Sequence, residues 1–459
     1  MARLATAMLL LALVLPAAVS AQTATTPVPP ARDPRISAIA DAPQPDRIER
    51  DIRTLVDFGT RSTLSDTLST TRGIGAARRW IKAEFDRISA ACGGCLEVGY
   101  QRMLVKGDPQ GRIREDTWVV SVVAIQRGTT MPDRYVIMSG DIDSRVSDVM
   151  DATSESPGAN DNASGMAGTI EAARVLTQYR FPTSIVYAGL SGEEQGLWGG
   201  RAVAEQAIAD EWDLVAVLNN DMIGNIRGVD GVIDNRSFRV FSEPTQTGYD
   251  GPQLNARIYG GEVDGPSRQL ARYVARLAEQ YVPAVEPMMV YRLDRFGRGG
   301  HHRPFNDVGF PGVRIMETHE NYVMQHQDIR TENGIEYGDV IEGVDFDYAA
   351  KLTGVNSVVL ASLAWAPPAP ASVSIGGAVQ ASTTLAWDPV ESPTLAGYKV
   401  YWRYTTDPQW RWSRWVPASE SRYTLENLVI DNYYFGVAAV GADGNESPVV
   451  FPSQLIRRQ

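Results

Sequence analysis

Three apolar, strand-like runs each end on acids. Val136–Ser139 leads through Gly140 to Asp141 and Asp143, Ser184–Leu190 leads to Glu193 and Glu194, and Leu214–Asn219 leads to Asp221. A further acid, Asp161, stands in SPGANDNASG just before a helical pattern. A single acid on a loop is usually just solvated. Here the acids share the same end of their elements, and in open α/β sheets the carboxyl ends of the strands form the binding crevice. Carboxylates converging there repel one another unless a cation sits among them, so the pattern points to metal chemistry. The histidines agree. The chain has four, His301, His302, His319 and His326, all in one short stretch among acids and amides.

Such residues must be held by strands and helices in alternation, and the sequence supplies them. RYVIMS, SIVYAGL and LVAVLN are short apolar runs of buried-strand type. Between and around them, Ala76–Ile88, Ala163–Tyr179 and Pro266–Tyr281 carry apolar residues at helical spacing, for example Leu270, Val274, Leu277 and Tyr281. Alternating helix and strand predicts an α/β fold with a mostly parallel central sheet flanked by helices.

After the Pro-rich stretch Ala366–Ser372 the texture changes to alternating β-branched and aromatic runs cut by Gly, Pro, Asp and Asn turns. That predicts a C-terminal all-β sandwich over 373–459. Trp387, Tyr398, Leu425, Leu428, Tyr434 and Val437 stand where a fibronectin type III module keeps its core, and this tail resembles one. The expected organisation is a signal peptide over 1–21, a flexible lead-in over 22–44, a catalytic domain over 45–365, a linker over 366–372 and the sandwich.

The signal peptide rests on Arg3, the apolar run Met8–Leu15 and the small residues Val19-Ser20-Ala21 before the expected cut. It implies export to periplasm or medium. The apolar run is short for a membrane span, so no membrane insertion is expected. Cys92 and Cys95 are the two cysteines, and in an exported chain they are expected to form a disulfide. With 43 basic against 55 acidic residues the formal net charge is -12, which argues against a nucleic-acid partner.

SGDIDS, PGANDNASGMAG, SGEEQGLWGG, NNDMIG and YVMQHQD, in this order, resemble the dizinc aminopeptidase family, MH-clan metallopeptidases related to glutamate carboxypeptidases and glutaminyl cyclases. The likeness spans roughly Pro45–Trp365. It implies that Asp161 bridges two metals, that Glu194 and His326 complete one site, and that Asp221 belongs to the other. Glu193 is then the base that takes a proton from the water between the metals. The resemblance further implies a cis peptide after Asp161, in a tight loop that Gly158 would suit.

One position departs from that pattern. Where Asp141 stands, the family has a histidine, oriented by a residue in the place of Asp143. Asp141, Asp161 and Asp221 would make an all-oxygen site leaning to Mn, Mg or Ca, or weakly loaded, whereas Asp161, Glu194 and His326 suit zinc. Asp143 is kept as a catalytic candidate without its imidazole partner. His301 and His302, in GGHHRPF, are pocket-lining candidates, and His319 is expected to be structural. Trp198 and Met150 are expected to pack in core or rim, and Tyr322 is a candidate oxyanion donor. The function these readings favour is an exported metallo-aminopeptidase acting on peptides. The alternatives are an inactive peptidase-fold binding module, a single-zinc glutaminyl cyclase and a carboxypeptidase of the same fold. The tail is expected to be non-catalytic and free to bind a surface polymer or a protein.

Overall fold

The computed structural model describes residues 28–244, 252–292 and 299–456. The expected signal peptide lies outside the described residues. Eight strands build the main sheet: β1 (Leu96–Val105), β2 (Thr117–Gln126), β3 (Met131–Asp141), β4 (Thr183–Leu190), β5 (Asp213–Asn220), β6 (Ser237–Ser242), β7 (Glu286–Val290) and β8 (Gly312–Glu317). Their order is β1-β2-β4-β3-β5-β8-β6-β7. The central four, β4-β3-β5-β8, run parallel. β2 joins them antiparallel on one side and β6 on the other.

Both faces of the centre are covered, which is why β3 reads as a continuous apolar run. Val136 and Met138 face one core with the helix Gly165–Leu176, and Tyr135 and Ile137 face the other with Val203, Ala204 and Ala207 of the helix Trp198–Ala209. The chain leaves β3 for β4 on one side, then crosses to β5 on the other. β3 is therefore the topological switch point, and the crevice beyond its carboxyl end is the expected site. The helix Phe346–Trp365 is buried along nearly its whole length behind this sheet.

A small hairpin, β9 (Arg330–Glu332) with β10 (Ile335–Tyr337), follows the main sheet. The tail contributes β11 (Val373–Gly376), β12 (Thr383–Trp387), β13 (Leu395–Tyr404), β14 (Trp412–Pro417), β15 (Arg422–Leu425), β16 (Tyr433–Gly441) and β17 (Gln454–Leu455). These form two sheets, β15-β12-β11-β17 and β14-β13-β16, around one core. Trp387, Tyr398, Leu425 and Val437 are in that core and Leu428 packs at its edge. Tyr434 instead faces Arg403, whose guanidinium carbon is 4.3 Å from its ring centre.

The lead-in differs from expectation. Pro34–Ala40 is a helix whose Ile36 and Ile39 are fully buried, so this part is not a flexible arm. Asp33 caps it by accepting from the Arg35 backbone N–H, and Pro34 opens its first turn. The Pro/Ala/Thr composition conceals that capped start. Cys92 and Cys95 are disulfide-bonded, as expected.

Candidate metal centre

Three side chains from three different connections meet at the carboxyl end of the sheet. Asp161 comes from the loop after β3, Glu194 from the turn after β4, and His326 from the long connection between β8 and β9. His326 Nε2 lies 2.9 Å from Asp161 Oδ2 and 3.0 Å from Glu194 Oε1. They are the described His, Cys, Asp and Glu side chains whose ligand atoms converge closely enough to hold one ion. One imidazole nitrogen and two carboxylate oxygens are a donor set that zinc accepts. Burial opposes a charge on His326, but Glu194 and Asp161 outweigh it and push the imidazole up to about 10. That is a measure of how much negative charge collects here. His326 also holds a left-handed backbone with φ of 56°, uncommon for a residue with a side chain and typical of functional sites.

The Asp161 loop is fixed on all sides. Asp339 accepts from the backbone N–H groups of Asn160 and Asp161 at 2.8 and 2.7 Å. The buried Arg61 guanidinium donates to the carbonyls of Ile142, Pro157 and Gly158. Gly158 has a φ of +51°, and a Cβ there would lie 2.4 Å from Ser144 Cβ. The peptide between Asp161 and Asn162 is cis. A Cβ on Gly140 would lie 2.4 Å from the backbone of Gly165, so this glycine lets the end of β3 touch the start of the following helix.

Glu193 and Glu194 are separated by their shared support. Asp143, buried, accepts from both backbone N–H groups at 3.2 and 3.1 Å. Asp143 is thus a positioning residue for the Glu193–Glu194 turn. Glu194 turns its carboxylate to His326, with Arg145 at 3.7 Å. Glu193 is outside the converging trio. Burial, then Glu194, Asp221, Asp141 and Asp161, raise its carboxyl well above the usual range.

Asp141 and Asp221 stand beside the trio but hold other partners. Asp141 Oδ1 is 2.5 Å from His301 Nδ1, and Asp141 Oδ2 accepts from Asn162 Nδ2 at 2.6 Å. Asp221 Oδ2 accepts from Arg314 Nη1 at 2.8 Å. Burial pushes Asp221 up to about 7 despite that guanidinium, and burial lowers His301 to about 4. Of the remaining histidines, His302 is fully buried, and His319 pairs with Asp230 at 3.0 Å away from the trio. Trp198 is partly buried against Val105, Ile113 and Val119, and Tyr322 is exposed. Asp339, Arg61 and Arg314 had no place in the sequence reading. Arg314 alone left a signal there, a cation within the apolar run GVRIME.

Residues 121–340 match the Peptidase family M28 model. A probable zinc metalloprotease of Leptosphaeria maculans is 41% identical over 428 residues, covering 93% of this chain and 98% of its own. This chain belongs to peptidase family M28. A second probable zinc metalloprotease, from Pyrenophora tritici-repentis, is 39% identical over 93% of this chain and 88% of its own. Among solved structures, the Legionella pneumophila LapA aminopeptidase superposes with a TM-score of 0.52 at 19% identity, over 72% of this chain and 74% of its own. An aminopeptidase from Aneurinibacillus sp. strain AM-1 does so with 0.50 at 12% identity, over 72% and 96%. At those identities the solved structures speak for the fold, which is that of an M28 α/β domain. Among the described residues no helix is long and apolar enough to cross a membrane.

Proposed function

We propose that this M28 peptidase is an exported, zinc-dependent aminopeptidase that removes N-terminal residues from peptides. The observation that carries the reading is the convergence of Asp161, Glu194 and His326 with the carboxyl of Glu193 beside them and outside the set. The two aminopeptidase neighbours and the zinc metalloprotease relatives support the same reading. Export is supported by the leader-like start of the sequence and by the Cys92–Cys95 disulfide in a chain with no free cysteine.

Zinc held by Asp161, Glu194 and His326 would polarise the scissile carbonyl and make water more acidic. The chain's own part is proton traffic and positioning. Glu193 takes a proton from the attacking water as its oxygen adds to the carbonyl carbon. As the C–N bond breaks, Glu193 returns that proton to the departing amine nitrogen. Asp143 holds the backbone from which Glu193 and Glu194 diverge, and Asp339 holds the backbone that presents Asp161.

The test is product analysis by mass spectrometry on a mixed peptide pool with and without a chelator. Stepwise loss of N-terminal residues, stopped by the chelator, is the expected result. Loss of C-terminal residues would replace the reading with a carboxypeptidase. Loss of ammonia from N-terminal glutamine without chain cleavage would replace it with a glutaminyl cyclase, a chemistry that the same three ligands would serve. No product with zinc bound would point to a binding module.

A further inference from the structure

Resemblance to the dizinc family gives this chain a second cation among Asp141, Asp161 and Asp221. The side chains around that position do not fit one. Asp221 is taken by Arg314, with both side chains nearly inaccessible at 8% and 2% exposure. Arg314 reaches it from β8, the strand beside β5, and its guanidinium also lies 4.5 Å from the centre of the Phe241 ring. Guanidinium stays charged in proteins, so this is a fixed positive charge on one of the carboxylates the second cation would need. Both oxygens of Asp141 are engaged, one by His301 and one by Asn162.

Packing locks these partners in place. His301 is fully buried, and a Cβ on Gly200 would come within 2.8 Å of its ring, so the imidazole is pressed against the helix Trp198–Ala209. A Cβ on Gly300 would lie 2.4 Å from Asn219 Oδ1, 2.8 Å from Arg314 Cδ and 3.2 Å from Asp221 Oδ2. The Gly300 backbone therefore sits directly on the Asp221–Arg314 pair. The His326 side is different, because among the described residues its imidazole and two carboxylates converge closely enough to hold one ion.

We propose that the centre is mononuclear, with one zinc on Asp161, Glu194 and His326, and that Arg314 on Asp221 and His301 on Asp141 replace the second metal. The proposal rests on the reading of a zinc peptidase and specifies its centre. Arg314 is a positioning residue that holds the Asp221 carboxylate and contributes the charge a second cation would bring. The departure at Asp141 then has a cause. Without a metal to bind, that position needs an acceptor for His301 and Asn162.

The decisive experiment measures zinc per chain on the full protein by elemental mass spectrometry, after stripping, reloading with excess zinc and desalting. A cobalt titration followed by visible absorption gives an independent count. One equivalent is expected, retained in Asp221→Asn and lost in His326→Ala. The double variant Asp141→His/Arg314→Met, which restores an imidazole and removes the guanidinium, is expected to gain a second equivalent. Two equivalents in the unaltered chain, one of them lost in Asp221→Asn, would overturn the mononuclear centre while leaving the peptidase reading standing. A single equivalent lost in Asp221→Asn but kept in His326→Ala would overturn the assignment of the site. No retained zinc at all would overturn the metal centre itself. The peptide digest separately decides the peptidase reading, so the two failures are distinguishable.

Discussion

Glu193 and Glu194 are chain neighbours with different proposed roles, base and ligand, and Asp143 supports the backbone of both. By accepting from both backbone N–H groups it fixes the turn, so that one carboxylate reaches His326 and the other stays outside the ligand set. A ligand is neutralised by its metal, whereas a base must stay free to take and return a proton. Glu193→Gln keeps the shape and hydrogen-bonding size of the side chain but removes the proposed base. Turnover is expected to fall by about 10²–10⁴-fold, with zinc content unchanged. Steady-state kinetics beside elemental analysis reads both quantities. Activity within a few-fold of the unaltered enzyme would remove Glu193 from that role.

At the scale of the element, the Asp161 loop is the part with the tightest demands, because a ligand on irregular backbone is only as well placed as its supports. Asp339 supplies two of them, one oxygen for the N–H of Asn160 and the other for that of Asp161. Asp339→Asn leaves one acceptor and sets an NH₂ against an N–H. Zinc affinity is expected to drop by about 10–100-fold, the usual cost of losing a partner behind a metal ligand. Competition with a chromophoric chelator measures it, and an unchanged affinity would show that the loop holds its shape without Asp339. Which elements were legible follows from their surroundings. The helix Pro266–Tyr281 sets apolar residues at helical spacing among charged and polar ones, and its observed bounds are those read from the sequence. The helix Phe346–Trp365 is buried on every side, so it carries no stripe for periodicity to find. β1 is buried only at its two ends and carries Gly99 in its middle, so it escaped the reading for the opposite reason. In the site, most of the acids were legible because they end apolar runs, and Asp161 because it stands in a small-residue loop just before a helix. The pairings with Arg314, His301 and Asp339 were not, although His301 was itself a pocket candidate, because only the sheet order and long connections bring those positions together.

At the scale of the whole molecule, the sandwich is fastened to the catalytic domain through buried charge. Asp264, just before the helix Pro266–Tyr281, accepts from Arg272 of that helix and from Arg403 of β13, with all three side chains almost inaccessible. Asn445 donates to Asp33, tying the first helix to the tail as well. The second fastening is Glu446, which meets Arg276 at 3.2 Å across the domain boundary and Lys399 and Tyr401 within the sandwich, each at 2.5 Å. Burial raises the Glu446 carboxyl, but Arg276 and Lys399 outweigh it, and the net shift is downward from 4.5. A depressed carboxylate stabilises the fold above its unfolded pKa, and that stabilisation is lost as pH falls through the folded pKa. Glu446→Gln leaves Arg276 and Lys399 facing a neutral group, which costs about 3 kcal/mol for a broken buried pair. The variant should therefore melt below the unaltered protein at neutral pH. The two melting temperatures should converge as the pH is taken below 4.5, because acid removes from the unaltered chain the charge that the substitution has already removed. Calorimetric scans of both proteins across that range are the measurement. A gap that stays constant down to strongly acidic pH would mean that Glu446 stabilises the domain boundary by shape and hydrogen bonding rather than by its charge.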